Sequence, residues 1–584
     1  MAPQQPGATA PVNSRVAEAI SGLFGQREGA DCQLVFVLDP APPTGFSAGG
    51  GAVSGSGATR KKEAATTLGG PLPAHSFVLR YASDKIAAQL KWPETGGADS
   101  TCAHPSNKAP TSVAAAKAAA PQKQLPEVQL MLGGEEELPA ARAAIQFAYT
   151  GRVQAGISVR EALQVRRQAA YLQIGGCMEA CLEVVKEALV QGSAGNAAAS
   201  SSNVAGLELF RCAELWPDTA EDAAFAALLE TAGAKRQLVA HFGDALAVLN
   251  DMDLYEQMVT LPAQGLEALL ESDDFSTDSE SSVVLVLAEW MAANYSRTDE
   301  ALRRRLCGLL RLMQCSRTYL CGVLPVLAAR HQRSPTSAAG WFPMTQADAT
   351  CMVAYSTAWM AERKEMAAEG TPRGPCAGMP AGWLSTQPRR QCLPAEGRSF
   401  TFSTSLTEME TFGALKPGEK GYLYPRFPGS LGSLRSSVAA QGLRWQPVLQ
   451  WTPGASTAAV FFKPCVPAAL AATITFGTAA ELLTGAVVAF PRMRVSVRGA
   501  AGKQAWSSQY GDDCNSVVRI GCALGWSKAL NLHEVATNQQ PSSSNGGTSS
   551  TRSNRNSKVA ACWASYLQDG TRLESSMVLL PRRS

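Results

Sequence analysis

The side chains best suited to chemistry in this sequence are five histidines and fifteen cysteines, scattered over 584 residues. Catalysis by a histidine base needs a nucleophile and an orienting acid within hydrogen-bond reach. No such set is recognisable, and the chain has no G-x-x-x-x-G-K phosphate loop, no G-x-G-x-x-G turn and no H-E-x-x-H pair. We therefore expect no catalytic residue and no cofactor, and predict that the protein is not an enzyme.

Two pairs of residues have the spacing of possible metal ligands. Cys102 and His104 lie two residues apart in an alanine-rich polar stretch, and Cys177 and Cys181 share one face of a predicted helix. A structural zinc site needs four ligands, and neither pair has a second pair nearby. We predict no metal site, and expect Cys177 and Cys181 to be buried thiols of a helix.

The composition restricts the partners that the protein can have. A net charge of +3 on this length is nearly neutral, so it gives no argument for nucleic acid or an anionic membrane surface. Residues 465–490 carry one charge but are interrupted by proline and glycine, which favours buried strands or a core helix over a membrane span. Scattered cysteines without a secretory pattern are typical of the cytoplasm or the nucleus.

The elements around His75 alternate between strand and helix. Residues 31–37 form a predicted apolar strand led by Asp31, and His75 opens a helix with a wide apolar face that extends to residue 90. A second strand at 126–132 and a helix that ends at Gly151 follow. Without a visible nucleophile, a buried hydrogen-bonding role explains His75 better than a role as catalytic base.

This order of elements resembles a BTB (POZ) domain, an α/β fold. The resemblance depends on Asp31 at the start of the strand, His75 with Leu79 and Ser83 on the helix, and the Phe-Ala-Tyr-Thr-Gly sequence at 147–151. It implies structural roles for Asp31 and His75. Many members of the family carry a base directly after the histidine, where this chain has a serine, so a charged peptide pocket is not expected.

The resemblance also implies a homodimer. In the BTB family the first helix packs across a two-fold axis, and the corresponding apolar positions here are Val16, Ile20 and Phe24. The alternative is an amphipathic helix that packs only on its own domain.

A third implication concerns cullin-3. BTB domains that bind cullins often carry an apolar residue and an acid, one residue apart, after the central helix, and Trp92 and Glu94 fit this element. With Tyr149, they are the predicted cullin-binding residues. The alternative for Trp92 is a core-edge residue before a proline turn.

Helical periodicity dominates residues 204–330. The phrase Leu-Glu-Ser-Asp-Asp-Phe at 270–275, followed by Glu280 and Trp290, resembles the BACK domain, an all-helical module that follows BTB in substrate adaptors. The spacing of Thr277 and Glu280 predicts a capping box at a helix start. The resemblance implies structural roles for four residues: Asp273, Asp274, Glu280 and Trp290.

From about residue 396 the apolar period changes to two, which predicts a C-terminal antiparallel β-sandwich over 396–584. Gly525 and Trp526 resemble a segment of MATH (TRAF-like) sandwiches. We interpret residues 331–395 as a linker with one helix. The complete order also resembles the plant light-response BTB adaptors.

The expected fold class is therefore a multidomain α+β protein, with the BTB domain at 12–190 and the BACK domain at 204–330. Segments rich in proline, glycine, serine and alanine separate or interrupt the domains. They are a disordered tail at 1–11, flexible insertions at 39–71 and 95–124, a linker at 191–203 and a disordered insertion at 535–558.

The function that these resemblances imply is that of an adaptor, which dimerises and brings an unidentified target protein to a cullin-3 RING ubiquitin ligase. The alternative is a BTB scaffold in transcription or signalling that has no ligase.

Overall fold

In the computed structural model, the described residues are 14–38, 66–91, 125–194, 204–231, 233–367, 376, 378–416, 418–428, 436–471, 485–511, 516–533 and 558–581. The chain divides into two compact units, Met1–Gln237 and Leu238–Ser584. The predicted tail at 1–11 and insertion at 95–124 lie outside the described residues, as does nearly all of 535–558.

The first unit contains a three-stranded mixed sheet of order β2-β1-β3. Strand β1 (Cys32–Leu38) pairs antiparallel with β2 (Thr67–Ala74) and parallel with β3 (Glu127–Leu132). The inward side chains of β1 and β3 alternate along each strand and form the centre of the core with Leu79 and Ile145.

Helices surround this sheet. Their bounds are α1 (Ser14–Gly22), α2 (Ser76–Ala82), α3 (Asp84–Lys91), α4 (Leu138–Thr150), α5 (Val159–Leu172), α6 (Cys177–Ala194), α7 (Ala205–Arg211) and α8 (Ala223–Thr231), and α9 (Ala234–Phe242) contains the boundary between the units. Helix α4 ends because Gly151 adopts a left-handed conformation with φ of 62°.

Two predicted segments differ from the structure at their ends. The insertion expected at 39–71 stops earlier, because residues 67–71 belong to β2, which pairs with β1. The prolines and glycines of β2 hid this strand, but β2 is an edge strand, where such residues are tolerated. The linker expected at 191–203 begins later, because α6 continues to Ala194.

The second unit begins with helices. They are α10 (Ala245–Asn250), α11 (Met252–Val259), α12 (Ala263–Glu271), α13 (Glu280–Asn294), α14 (Glu300–Gly308), α15 (Leu324–Arg333), α16 (Gln346–Thr357) and α17 (Met360–Ala367), with a π-helical turn at Tyr319–Val323. Twelve of the fifteen residues of α13 are buried, and they occur on all sides of the helix. Helix α13 is therefore a central core helix of this unit.

The remaining elements of the second unit are mostly strands. They are β4 (Arg398–Ser405), α18 (Leu406–Met409), β5 (Gly421–Leu423), β6 (Val438–Ala440), β7 (Leu443–Trp451), β8 (Thr457–Cys465), α19 (Ala468–Ala471), β9 (Val487–Ala489), β10 (Met493–Arg498), β11 (Gln504–Tyr510), β12 (Val517–Arg519), β13 (Leu524–Asn531), β14 (Leu567–Gln568) and β15 (Arg572–Leu579).

These strands form antiparallel sheets, as the period-two pattern predicted. One sheet has the order β11-β10-β15-β14 with β4 also on β15, and another has the order β13-β8-β7-β5 with β6 also on β7. Strands β9 and β12 form a separate pair. Aromatic rings connect the two larger sheets: Phe402 of β4 lies 6.1 Å from Phe462 of β8 between ring centroids. The α+β class is confirmed.

The segment 331–395 is not a linker. It forms two helices, α16 and α17, where one was expected, and the side chains of Trp341, Trp383 and Arg389 are buried in the second unit. Their burial shows that this segment supplies part of the core. Among the described residues, no helix is long and apolar enough to cross a membrane.

Candidate protein-interaction sites

Asp31 connects the start of β1 to the start of α2. Its carboxylate accepts hydrogen bonds from the backbone N–H of Ser76 at 2.7 Å and from Ser76 Oγ at 2.5 Å. Burial alone would raise the pKa of Asp31, but the hydrogen bonds from Ser76 outweigh it and lower that pKa. The carboxylate of Asp31 is thus engaged within the domain by Ser76.

His75 lies buried beside Asp31 and is held by two neighbours. Its backbone N–H donates to the hydroxyl of Tyr149 at 2.9 Å, and its Nε2 lies 3.0 Å from the carbonyl oxygen of Glu28. The side chain of His75 is 1% exposed. These contacts fix the first turn of α2 against α4, which is the arrangement of a structural hydrogen-bonding residue.

Tyr149 occupies a different environment from the one predicted for a cullin contact. It is 4% exposed, its ring packs edge-on against Phe24 at 5.7 Å, and burial raises its pKa to about 12. A ring in this position cannot reach a partner protein without leaving its packing. The prediction that Tyr149 contacts cullin is therefore wrong, and its role is internal support of His75.

The three predicted dimer residues do not share one environment. Val16 is 53% exposed, whereas Ile20 and Phe24 are half-buried against the core of the first unit. Every residue of α1 is at least partly exposed. The helix therefore packs on its own domain through one end and leaves its Val16 side open to solvent.

The central helix region presents a surface that the sequence pattern did not indicate. Phe77 and Tyr81 lie in the helix that the sequence predicts to have a wide apolar face, but they are 52% and 94% exposed, one helical turn apart on α2. Exposed aromatic side chains in neighbouring positions are typical of interaction surfaces. The other two predicted cullin-binding residues, Trp92 and Glu94, follow α3 and lie outside the described residues.

The cysteine pair of α6 is buried, with Cys177 and Cys181 both 0% exposed. A hydrogen bond with Cys181, together with burial, raises the pKa of the Cys177 thiol. Within the described ranges, no group of three or more His, Cys, Asp or Glu residues could hold a metal ion. Cys102 and His104 lie outside those ranges.

In the second unit, Glu280 at the start of α13 forms a buried ion pair. Its Oε2 accepts from Arg389 Nε at 3.0 Å, and the side chains are 1% and 0% exposed. Its Oε1 accepts from the backbone N–H of Arg311 at 2.9 Å. Both carboxylate oxygens are thus satisfied, as a buried charge requires.

The predicted capping box between Thr277 and Glu280 is wrong, because Glu280 forms other contacts. The N-cap of α13 is Ser279, whose side chain accepts from the N–H of Ser281, and Thr277 instead donates its hydroxyl to the carbonyl of Ser279 at 2.7 Å. Glu280 cannot turn back to cap the helix because Arg389 and Arg311 occupy its carboxylate.

The other predicted structural residues of this helical region lie nearby. Trp290 is buried and donates Nε1–H to the carbonyl of Leu261 at 2.8 Å, which ties α13 to the start of α12. Asp273 pairs with Arg311, whereas Asp274 is exposed. The ion pair between Arg389 and Glu280 was not predicted, because Arg389 lies about a hundred residues beyond Glu280 in an apparent loop.

Comparison with known families gives one match. The family model of BACK, "BTB And C-terminal Kelch", matches residues 246–324, which run from α10 to the first residue of α15. No curated protein matches the chain. The helical region that contains Glu280 and Trp290 therefore fits a BACK domain, and the match supports a protein of the BTB–BACK type.

Proposed function

We propose that the protein is an adaptor that recruits a target protein to a cullin-3 ubiquitin ligase and performs no catalysis itself. The match to the BACK family carries this proposal, because BACK domains are typical of BTB adaptors of cullin-3. The three-stranded mixed sheet with its surrounding helices in the first unit fits the expected BTB portion.

In this mechanism each part of the chain holds a partner. The first unit dimerises through the Val16 side of α1 and binds cullin-3 near the end of α3, while the antiparallel sheets of the second unit bind the target. The rate of ubiquitin transfer rises because target and ligase are held at high effective concentration. Cytoplasm or nucleus is the proposed location.

The test uses the full chain and purified cullin-3. Co-migration in size exclusion at micromolar concentration is expected, and the double variant Trp92→Ala with Glu94→Ala should lose cullin-3 while it remains dimeric. Val16→Glu should give monomers, because it places a charge at the proposed two-fold contact. A full chain that stays separate from cullin-3 would refute the adaptor function.

A second function has one observation in its favour. The burial of Tyr149 removes one of the three predicted cullin contacts, which is compatible with a dimeric scaffold that binds no ligase. Under that alternative the change at Trp92 and Glu94 alters no measurable interaction, and cullin-3 does not bind the unmodified chain.

A further inference from the structure

Two cysteines that are distant in the sequence meet in the second unit. Cys351 lies on α16 and Cys376 follows α17, with 25 residues of sequence separation, and their Sγ atoms are 3.0 Å apart. Both are free thiols. Because the sulfurs of a disulfide are about 2.05 Å apart, an approach of about 1 Å between these two sulfurs is enough to join them.

The two thiols belong to a small cluster at the margin of the unit. Three of its residues are buried, namely Cys351, Tyr355 and Cys376. The apolar residues that complete the cluster are only partly buried: Met313, Met366, Ala367, Met379 and Leu384. A small cluster with a partly exposed cover opens at a lower free energy than a central core does.

Helix α17 forms part of this cover. None of its residues is buried, and its Met366 packs against the cluster. The backbone N–H of Cys376 donates to the carbonyl of Met366 at 3.3 Å. Arg363 joins α17 to the end of α16, since it donates to the carbonyl of Tyr355 at 2.9 Å and to that of Ser356 at 2.8 Å. Separation of α17 from α16 therefore breaks mainly polar contacts and brings both thiols to solvent.

The distance between the sulfurs argues against a shared metal ion. Two thiolates on one tetrahedral zinc ion, each about 2.3 Å from the metal, are about 3.8 Å from each other. The sulfurs of Cys351 and Cys376 are closer than that, at 3.0 Å. In the described part of the chain, no group of three or more His, Cys, Asp or Glu residues could hold a metal ion. The geometry thus favours a bond between the two sulfurs.

The two thiols are not equivalent. Burial, together with the hydrogen bond to Cys351, raises the pKa of Cys376 to about 12, so Cys376 keeps its proton at neutral pH. Cys351 is the more exposed of the two, at 7% against 2%. Since the thiolate is the nucleophile in thiol oxidation, Cys351 is suited to react first and Cys376 to react second.

We propose that Cys351 and Cys376 form an oxidation site, at which hydrogen peroxide joins their sulfurs as a reversible disulfide when α17 opens. The Cys351 thiolate attacks one oxygen of the peroxide; an S–O bond forms, the O–O bond breaks, and hydroxide leaves and takes up the proton that Cys351 released. The sulfur of Cys376 then attacks the sulfur of Cys351. The S–S bond forms, the S–O bond breaks, and the hydroxyl group leaves as water with the proton of Cys376. Two thiols have been oxidised and one peroxide has been reduced to two waters.

The bond has a mechanical consequence for the second unit. It links α16 to the residue that follows α17, so α17 can no longer separate freely from α16. Reduction by cellular thiols reverses the link, as expected of a disulfide in the cytoplasm or the nucleus. The inference is independent of the proposed adaptor function, because it involves neither cullin-3 nor a target.

The test uses the reduced full chain, treated with hydrogen peroxide, blocked with maleimide in urea and digested without reductant. Mass spectrometry should find the peptides of Cys351 and Cys376 joined, and dithiothreitol should separate them. Cys177 and Cys181 are the internal control, because both are 0% exposed within one helix and should remain thiols. A link that forms only in urea, or equal joining of Cys351 to other cysteines, would overturn the proposal.

Single variants test the order of the two steps. In Cys376→Ser no second thiol is present, so the sulfenic acid of Cys351 should accumulate. Dimedone added with urea should then label Cys351 about tenfold more than in the unmodified chain. In Cys351→Ser, labelling of Cys376 should stay low. Equal labelling of Cys351 with and without Cys376 would show that Cys376 does not react with it, and the site would be rejected.

A matched pair of variants tests the opening of α17. Lys364 is exposed on this helix, and Lys364→Gly lowers helix stability whereas Lys364→Ala removes the same side chain without doing so. The disulfide should form about threefold to fivefold faster in Lys364→Gly than in Lys364→Ala, because the helix opens more often. Circular dichroism checks that both chains are folded. Equal rates would overturn the opening of α17 as the route to the thiols.

Discussion

Replacement of Arg389 by methionine is expected to destabilise the second unit severely. The change removes the only cation that contacts the Glu280 carboxylate within the described residues, and both side chains are almost completely buried. Loss of one member of a buried ion pair costs about 3–5 kcal/mol, because the other charge remains without compensation.

Arg389 also satisfies backbone carbonyls, and this adds to the cost. Its Nη1 donates to the carbonyl of Ser272 at 2.8 Å, and its Nη2 donates to that of Leu270 at 2.6 Å. Each carbonyl left without a donor costs about 1–3 kcal/mol, although the terms are not strictly additive. A loss of about 5 kcal/mol is comparable to the total stability of many domains.

Urea denaturation followed by tryptophan fluorescence measures this loss, since most of the tryptophans lie in the second unit. The matched control is Arg304→Met, which breaks the exposed pair between Arg304 and Glu300 and should cost less than about 1 kcal/mol. Adding Glu280→Gln to Arg389→Met should recover part of the loss, because it removes the unpaired charge.

Two results would refute this reasoning. The first is a cost for Arg389→Met no larger than that for Arg304→Met. The second is a double variant no more stable than Arg389→Met alone, which would mean that the uncompensated carboxylate of Glu280 is not the cause of the loss.

Three other predictions follow from the first unit and from the thiols. Tyr149→Phe should destabilise the first unit by about 1–3 kcal/mol in thermal denaturation, because the buried N–H of His75 loses its acceptor, and a loss no greater than that of Tyr81→Phe on the exposed Tyr81 would contradict this. The lowered pKa of Asp31 means that its contribution to stability is present above its ordinary value of 3.8 and is lost as pH falls through the lower folded value. Ser76→Ala should therefore reduce the dependence of unfolding on acid pH. An unchanged pH dependence in this variant would exclude the hydrogen bonds from Ser76 to Asp31 as the source of that dependence. Maleimide should label the exposed thiols before denaturation and the buried ones only after it, as mass spectrometry of digests can show. The exposed members among the described cysteines are Cys321 and Cys522.

Much of the first unit followed from local patterns in the sequence. The strands at 31–37 and 126–132 were predicted from β-branched and apolar residues, and the end of α4 at Gly151 from a residue that tolerates a left-handed backbone. Strand β2 was missed because its residues have low strand propensity. Its pairing with β1 decides its conformation, and pairing is not a property of the segment alone.

The helical region of the second unit was also recognisable from the sequence, and the match to the BACK family over 246–324 supports the BACK domain predicted at 204–330. Its most important electrostatic contact was not recognisable. Glu280 was predicted to cap its own helix, and the local spacing was compatible with that role. In the folded chain the same carboxylate is taken by Arg389, from a segment that composition alone had suggested to be a linker.

The sequence by itself determined where many of the helices and strands form, because their periods of 3.6 and 2 residues are properties of consecutive side chains. The tertiary structure alone decided that Tyr149 is buried and that Arg389 neutralises Glu280. Each of these depends on which distant segments meet, and burial, ion pairing and strand pairing acquire their energies only when those segments exclude water together.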